Sequence, residues 1–279
     1  MKKTLNLGQH FTVNRMGYGG MRLTGEGTWG LPADCEEAIQ VLKRTVELGI
    51  NFIDTADAYG PNVNEELIAE ALYPYPSDLV IGTKGGYVRS GPGKWAKNGK
   101  PEHLRAALEG SLKRLKKESI QLYQLHRIDP EVPREESFKV LQKAQEEGLI
   151  QLLGLSEVSI DDIKAAQGFF EVVSVQNRYS IGVRNWEPEL QYCKENGIAF
   201  IPWYPMNANN VDTMKQIEGI AQKHKASPQQ IALAWLLQHA ENILLIPGTS
   251  KVAHLEENVV AANIVLDAED VKTLDAIEA

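Results

Sequence analysis

Asn51–Gly60, with the sequence NFIDTADAYG, is the most informative stretch of this chain. Its first four residues are typical of a short buried strand, and Leu48-Gly49 ends a helix just before it. Asp54 then lies at the carboxyl end of the strand, and a polar turn leads to Tyr59. An acid and a phenol at the end of a buried strand are costly unless other groups pair with them. The stretch therefore predicts polar partners on neighbouring strands.

Candidate partners lie at the ends of the next two strand-like runs. Residues 79–84 (LVIGTK) end in Lys84, and residues 120–126 (IQLYQLH) end in His126. Neighbouring parallel strands lie roughly 4.8 Å apart, and their carboxyl ends share one edge. We therefore expect the lysine and the histidine to converge with Asp54, and the tyrosine to fold back over the same point.

Such a group of side chains has a defined chemistry. A lysine beside a phenol favours the phenolate, and an aspartate keeps that lysine charged and oriented. Lowering a tyrosine pKa from about 10 to about 7 needs roughly 4 kcal/mol, which one close cation in a dry site supplies. Tyr59 would then exchange a proton with a carbonyl or alcohol near neutral pH. Taken singly, each residue has a structural alternative: a capping aspartate, a core histidine, a packed tyrosine or a surface lysine.

The rest of the chain alternates between short apolar runs and amphipathic helices, among them helices expected at residues 211–224 and 228–238. Eight such runs in about 250 residues predict an α/β fold, a single (β/α)8 TIM barrel over residues 1–279. Residues 4–7 and 11–14 predict an N-terminal β-hairpin that plugs one end of the barrel. The expected barrel strands are residues 16–19, 51–54, 79–84, 120–126, 149–156, 172–177, 199–203 and 243–247.

A doubly wound nucleotide-binding fold fits this sequence less well. It would need a GxGxxG turn between the first strand and a helix, whereas residues 17–21 (GYGGM) lack that spacing. The two long loops, residues 20–32 and 85–100, both follow strands. We expect them on the catalytic face of the barrel.

Composition argues against several classes of function. With 279 residues, 43% of them hydrophobic, the chain is large enough to bury a full core. The formal net charge of -8 argues against nucleic acid or an anionic membrane as partner. No apolar run reaches the roughly 18 residues of a membrane span, and residues 1–8 lack the apolar core of a signal peptide. Cys35 and Cys193 form no CxxC or Cys/His cluster, so we expect no metal site, no disulfide and a reducing, cytoplasmic location.

Over almost its whole length the chain resembles the aldo-keto reductases. The resemblance rests on the motifs DTADAYG, TKGG, LYQLHRID, GLSEV, VQNRYS and IPGTSKVAHLEEN. It implies reduction of an aldehyde or ketone by hydride transfer from NADPH, held extended across the barrel mouth without a Rossmann turn. By motif position, Tyr59 is then the general acid and His126 orients the carbonyl. Lys84 and Asp54 tune Tyr59.

The resemblance also implies cofactor-binding positions. Gly20 and Met21 match residues near the nicotinamide ribose, and Ser156 and Gln176 match residues that bond the carboxamide. Trp203 matches a ring that stacks on the nicotinamide; core packing is its alternative. A hydroxyl and a cation where a loop enters a helix suit a phosphate, although such a segment alone is often a solvated turn. The remaining positions, beyond the seventh strand and around the adenosine 2′-phosphate, are Tyr204, Met206, Thr249, Ser250, Lys251, His254, Glu257 and Asn258.

Three positions depart from the family's pattern. Glu157 stands where many relatives carry asparagine, so one bond to the nicotinamide is expected to be missing or replaced. His254 stands in place of an arginine near the 2′-phosphate, which removes a permanent charge and leaves the strength of the NADPH preference open. Residues 207–210 (NANN) replace a longer glycine-rich segment. Because asparagine tolerates left-handed conformations, a short clasp over the pyrophosphate is expected rather than a full belt.

The loops over the barrel mouth suggest an apolar substrate pocket. Met21, Trp29, Tyr87 and Trp95 would line it together with Arg127, and simple loop packing is the alternative. The framework resembles the pyridoxal reductase-like branch of the family. Aromatic aldehydes, pyridoxal included, are therefore the expected small-molecule carbonyl substrates.

Two other functions remain open at this point. The resemblance extends to the potassium-channel β subunits, so the chain could be a nicotinamide-binding module that regulates a partner. A barrel lyase or isomerase without nicotinamide is a third possibility. It would leave Gln176, Trp203 and Lys251 without a role.

Overall fold

The computed structural model of this chain describes residues 3–206 and 211–277, and strands and helices alternate along it. The strands are β1 (Thr4–Leu7), β2 (Phe11–Asn14), β3 (Tyr18–Gly19), β4 (Phe52–Asp54), β5 (Val80–Gly85), β6 (Tyr87–Gly91), β7 (Lys94–Lys97), β8 (Ile120–Leu125), β9 (Ile150–Ser156), β10 (Val172–Gln176) and β11 (Ala199–Phe200). The α-helices are α1 (Cys35–Glu47), α2 (Val63–Leu72), α3 (Pro101–Arg114), α4 (Arg134–Glu146), α5 (Ile160–Gln167), α6 (Glu187–Glu195), α7 (Val211–Gln216), α8 (Glu218–Lys223), α9 (Pro228–His239), α10 (Val252–Val260) and α11 (Ala268–Asp275). Within the described ranges no helix is long and apolar enough to cross a bilayer.

Seven strands form one parallel sheet in the order β11-β10-β9-β8-β5-β4-β3. Each strand pairs in parallel with the next, and the connecting helices pack over the sheet. This order is expected of successive strand–helix–strand units, because each crossover returns the chain to the neighbouring position. The arrangement is consistent with the predicted barrel.

Residues 242–245 join the two edges of this sheet. On the β11 side, Phe200 N donates to the Asn242 carbonyl at 2.8 Å and Leu244 N donates to the Phe200 carbonyl at 2.9 Å. On the β3 side, Leu245 N donates to the Arg15 carbonyl at 2.8 Å. A regular strand at 243–247 was the wrong prediction, since the pairing consists of isolated bridges. Pro247 has no N–H with which to extend a ladder.

The period-two alternation of the strands directs the site residues inward. One buried cluster contains a side chain from most of the strands and two from the N-terminal hairpin: Leu7, Val13, Phe52, Val80, Leu122, Leu152, Val173, Ala199, Ile201, Leu244 and Ile246. Alternate residues of a strand share a face. The side chains of Asp54, Lys84 and His126, two or four residues beyond cluster members of their own strands, therefore face the same interior. The larger cluster packs the helices against the outer face.

Two expected segments are subdivided in the structure. Residues 85–100 contain the antiparallel hairpin β6–β7, in which Arg89 pairs with Trp95. The turn sequence Gly91-Pro92-Gly93 between alternating residues is a hairpin signal that would have predicted it. The helix expected at 211–224 is divided into α7 and α8 at Ile217.

Candidate active site

Lys84, in β5, is the centre of a buried group at the carboxyl ends of the strands. Its Nζ donates to Asp54 Oδ2 at 2.7 Å, to the Thr55 carbonyl at 2.8 Å and to the Tyr59 hydroxyl at 3.4 Å. The lysine side chain has 0% exposure. Its three ammonium hydrogens are therefore all directed at protein oxygens. The structure thus brings together three of the four side chains that the sequence proposes for catalysis.

Two glutamines hold the other oxygen of Asp54. Its Oδ1 accepts from Gln176 Nε2 at 2.9 Å and from Gln124 Nε2 at 3.3 Å. Sequence reasoning missed Gln124, although it lies two residues before His126 and shares its inward face. Gln176 uses one amide hydrogen on Asp54, which leaves the other amide hydrogen for a ligand.

His126, the fourth proposed catalytic residue, lies beside Tyr59. The two ring centroids are 5.9 Å apart with an interplanar angle of 80°. His126 N donates to the Gly85 carbonyl at 2.8 Å and so extends the β5–β8 pairing by one residue. Its Nδ1 is buried and has no partner among the described residues. The rings of Tyr87 and Trp95 pack against the imidazole edge to face.

Burial decides the protonation state of Tyr59. It raises the pKa of the phenol above its ordinary value, while the Lys84 charge acts in the opposite direction and Asp54 adds to the rise. The expectation that Lys84 lowers this pKa towards 7 is therefore wrong for this structure. A closed site disfavours the phenolate more than one lysine, already shared with Asp54, favours it. Tyr59 carries its proton at neutral pH.

The charges of Lys84 and His126 are also set by their surroundings. Burial lowers the pKa of Lys84, but the charge of Asp54 and the hydrogen bonds to Asp54 and Tyr59 together outweigh it, so this pKa lies above its ordinary value. Burial, reinforced by the charges of Lys84 and Arg127, lowers the pKa of His126 well below its ordinary value. At neutral pH the site therefore holds a charged lysine and a neutral imidazole.

Two adjoining cavities meet at Tyr59. The first, named here the aromatic cavity, measures about 340 Å³ and is lined by Tyr87, Trp95, His126, Arg127 and Ser156. The second, named the cleft, measures about 300 Å³ and is lined by Asp54, Tyr204, Pro205, Met206, Ile246 and Gly248, among others. Met21, Tyr59, Gln176 and Trp203 line both cavities. Trp29 is not part of either lining, and its ring lies 5.8 Å from the Arg89 guanidinium.

The hydroxyl of Ser156 forms two hydrogen bonds within the protein. It donates to the Gln176 carbonyl at 2.8 Å and accepts from Arg127 Nη1 at 2.8 Å. Arg127 Nη1 also donates to the His126 carbonyl at 2.6 Å. A carboxamide N–H, as the resemblance implies, would take the second acceptor lone pair of this hydroxyl.

Asn64 of α2 supports the loop that carries Gly20 and Met21. Its Nδ2 donates to the Gly20 carbonyl at 2.8 Å, and its Oδ1 accepts from Thr55 Oγ1 at 2.6 Å. A Cβ on Gly20 would lie 2.4 Å from Asn64 Oδ1, so a larger residue does not fit. Sequence reasoning missed Asn64, because nothing local marks a helix residue as the support of a loop 44 positions earlier.

The proposed phosphate-binding residues lie at the start of α10. Lys251 precedes the helix, its backbone N–H donates to Thr249 Oγ1 at 3.1 Å, and its ammonium forms an ion pair with Glu37 of α1. The first N–H groups of a helix and a nearby cation favour an anion. The other residues named for this region are the exposed Ser250, His254 and Glu257 and the buried Asn258.

Residues 207–210, where a short clasp over the pyrophosphate was expected, lie outside the described part of the chain. In the part that is described, no three His, Cys, Asp or Glu side chains are grouped as metal ligands.

Comparison with known proteins gives consistent matches. A model of the Aldo/keto reductase family matches residues 15–279. The chain is 52% identical over 264 residues to an uncharacterized oxidoreductase of Schizosaccharomyces pombe, a match that covers 94% of this chain and 86% of that protein. It is 40% identical over 272 residues to pyridoxine 4-dehydrogenase of Escherichia coli, covering 95% of each. A crystal structure of a thermostable aldo-keto reductase in complex with the inhibitor epalrestat is similar with a TM-score of 0.87 and 30% identity, covering 98% of this chain and 99% of that one.

The substitution Lys84→Met tests the buried ion pair. It leaves Asp54 as an unpaired buried charge, so the free energy of unfolding, measured by urea denaturation at neutral pH, should fall by about 3–5 kcal/mol. Adding Asp54→Asn removes the unpaired charge and should recover part of the loss. Lys43→Met, at an exposed position of α1, is the control and should change little. A Lys84→Met variant as stable as the wild type would contradict the ion pair.

Proposed function

We propose, on the premise that this chain belongs to the aldo/keto reductase family, that it reduces aldehydes and ketones to alcohols with NADPH and that Tyr59 supplies the proton. One observation carries the proposal. Lys84 contacts both Asp54 and the Tyr59 hydroxyl, and Tyr59 lines both of the adjoining cavities. Two molecules bound side by side would therefore both reach Tyr59.

The residues of the cleft fit a nicotinamide nucleotide. Trp203, Tyr204 and Met206 give it apolar and aromatic walls suited to a flat ring. Gln176 and Ser156 supply the amide and hydroxyl groups that a carboxamide needs. The family uses a nicotinamide cofactor. When bound, NADPH supplies the hydride.

The chain's own groups handle the proton. Tyr59 is protonated and places its O–H at the junction of the two cavities, where it donates to a carbonyl oxygen. After the transfer, the charge of Lys84 stabilises the phenolate, and Asp54 keeps Lys84 in position. His126 is neutral and offers an imidazole nitrogen to orient the same oxygen. The rings around it limit the access of water, which strengthens each of these interactions.

We assign NADPH contacts beyond the nicotinamide to the remaining named residues. Gly20 and Met21 would lie along the ribose. Thr249, Ser250 and Lys251 would take the 2′-phosphate at the start of α10. His254, Glu257 and Asn258 extend this surface along the same helix.

For the substrate we propose aromatic aldehydes, pyridoxal included. The aromatic cavity is lined by Tyr87, Trp95 and His126, whose rings meet edge to face and leave apolar surface for a further ring. Arg127 adds a guanidinium that suits a hydroxyl or anionic substituent. The relative named pyridoxine 4-dehydrogenase, at 40% identity, supports this choice.

The frame of this site is, in our proposal, one domain: a closed (β/α)8 barrel with the β1–β2 hairpin covering the end opposite the site. Leu7 and Val13 of that hairpin pack into the interior cluster, which supports this arrangement.

Cys35 and Cys193 are free thiols. They support a reducing compartment, and we propose the cytoplasm.

Tyr59→Phe tests the function directly, because it keeps the ring and removes the proton. The kcat for aromatic aldehydes, measured as NADPH consumption, should fall by at least about 10²-fold. NADPH affinity, measured by tryptophan quenching, should stay nearly unchanged. Tyr87→Phe, in the same cavity, is the control and should retain most activity. Aldehyde turnover by Tyr59→Phe at the wild-type rate would remove Tyr59 from the reaction.

The same assays on the wild type separate the rival functions. Cofactor binding without turnover would favour a regulatory module, and no nucleotide binding would favour a lyase or isomerase.

Lys251→Ala tests the proposed phosphate contact. NADPH binding should weaken by about tenfold or more, as expected for a lost charged hydrogen bond. NADH, which lacks the 2′-phosphate, should bind as before. Lys43→Ala, on the exposed face of neighbouring α1, should affect neither cofactor. Equal losses for NADPH and NADH would give Lys251 a structural role in place of phosphate binding.

A further inference from the structure

Trp203 forms a wall shared by both cavities. Its backbone contacts fix the position of the residue but not the orientation of the indole ring. Its N–H donates to the Asn177 carbonyl at 3.1 Å, and it forms a parallel bridge with Arg178. The chain leaves the strand direction immediately afterwards, since Tyr204 has a left-handed φ of 59°. The plane of the indole must therefore be held by side-chain contacts.

Glu157 provides that contact. It follows Ser156 at the end of β9 and has a φ of 55°, a left-handed conformation that is unfavourable for a glutamate. Its backbone N–H donates to the Gln176 carbonyl at 3.1 Å. Its Oε1 accepts from Trp203 Nε1 at 2.6 Å and from the Arg178 N–H at 2.6 Å. One carboxylate oxygen thus connects the ends of three neighbouring strands.

The charges around the indole favour the same orientation. An indole has a single N–H donor, and here it meets a carboxylate, which makes a stronger bond than a neutral acceptor would. The Arg178 guanidinium lies 5.7 Å from the ring centroid and the Arg127 guanidinium 6.0 Å. Cations prefer the ring faces, whereas an anion prefers the N–H edge. All three groups therefore oppose rotation of Trp203.

We propose that Glu157 is a positioning residue, which fixes the indole of Trp203 as the common wall of the cleft and the aromatic cavity. Glu157 is not part of either lining, and its Oε1 already serves two donors, so it acts through Trp203. In this proposal Glu157 does not bond the ligand directly, as the asparagine of many relatives is expected to do. It orders the Trp203 ring that the ligand contacts. A ring ordered before binding lowers the entropic cost when the ligand arrives.

The first experiment reads the indole itself and needs no cofactor. The chain has five tryptophans, so protein labelled with 5-fluorotryptophan gives five fluorine resonances, and Trp203→Phe identifies that of Trp203. Glu157→Asn tolerates the left-handed backbone but is one methylene too short to reach the indole. It should shift or broaden the Trp203 resonance alone. Glu157→Gln keeps the reach and should restore most of the wild-type position. Glu171→Ala, at an exposed glutamate, is the control. An unmoved Trp203 resonance in Glu157→Asn would overturn the proposal.

The second experiment measures what the ordered ring contributes to binding, and this part rests on the proposed function. Glu157→Asn should weaken NADPH binding by about 2- to 10-fold, the effect of one side chain that must now be ordered on binding. Its affinity for 2′,5′-ADP, which has no nicotinamide, should not change. In a Trp203→Phe background, Glu157→Asn should have no further effect on NADPH.

Each outcome of the second experiment has a distinct meaning. Unchanged NADPH affinity in Glu157→Asn, or an equal loss of NADPH and 2′,5′-ADP, would overturn the positioning role. A further loss in the Trp203→Phe background would show that Glu157 does not act through the indole. If the wild type binds neither nucleotide, the proposed function fails, while the fluorine spectra still decide whether Glu157 holds Trp203.

Discussion

A lysine with no exposed surface must be compensated on every side, and Lys84 is such a residue. Asp54 supplies the opposite charge, the Thr55 carbonyl a second acceptor and Tyr59 a third. Asp54 in turn needs the amide of Gln176, which belongs to a strand more than a hundred residues away. The ends of the central strands are therefore held in register by one set of polar contacts. The Tyr59 hydroxyl, at the junction of the two cavities, keeps a proton that it can donate.

Burial decides whether Tyr59 is prepared to donate a proton, as reduction requires, or to accept one, as oxidation requires. If the lysine charge controlled Tyr59, the phenol would be half ionised near neutral pH, equally ready to take or to give a proton. Burial raises its pKa instead, so Tyr59 holds its proton. The same burial keeps His126 neutral, so the imidazole carries no positive charge that would compete with Lys84 for Asp54 or for a Tyr59 phenolate. A site built in this way is ready for reduction, in which a proton must be given to oxygen.

Most of the barrel strands and the positions of the proposed catalytic residues were predictable because they rest on local patterns. Alternation and strand ends suffice to place Asp54, Lys84 and His126 on one edge of the sheet. Contacts between residues that are distant in sequence were not predictable in this way. Nothing in the local sequence connects Lys251 with Glu37 or Glu157 with Trp203. The pKa of Tyr59 was also missed, since the degree of burial follows from the fold as a whole.

The pH dependence of carbonyl reduction in a single turnover, with saturating NADPH, tests most directly whether burial controls Tyr59. Reduction requires the protonated phenol, which persists at every pH below its raised pKa. The rate constant should therefore be constant from about pH 6 to about pH 9 and fall only in the more alkaline range, above the ordinary tyrosine pKa near 10. His126, neutral throughout, should add no inflection near 6.5. A rate constant that falls by half near pH 7 would contradict this result, because it would mean that Lys84 prevails over burial.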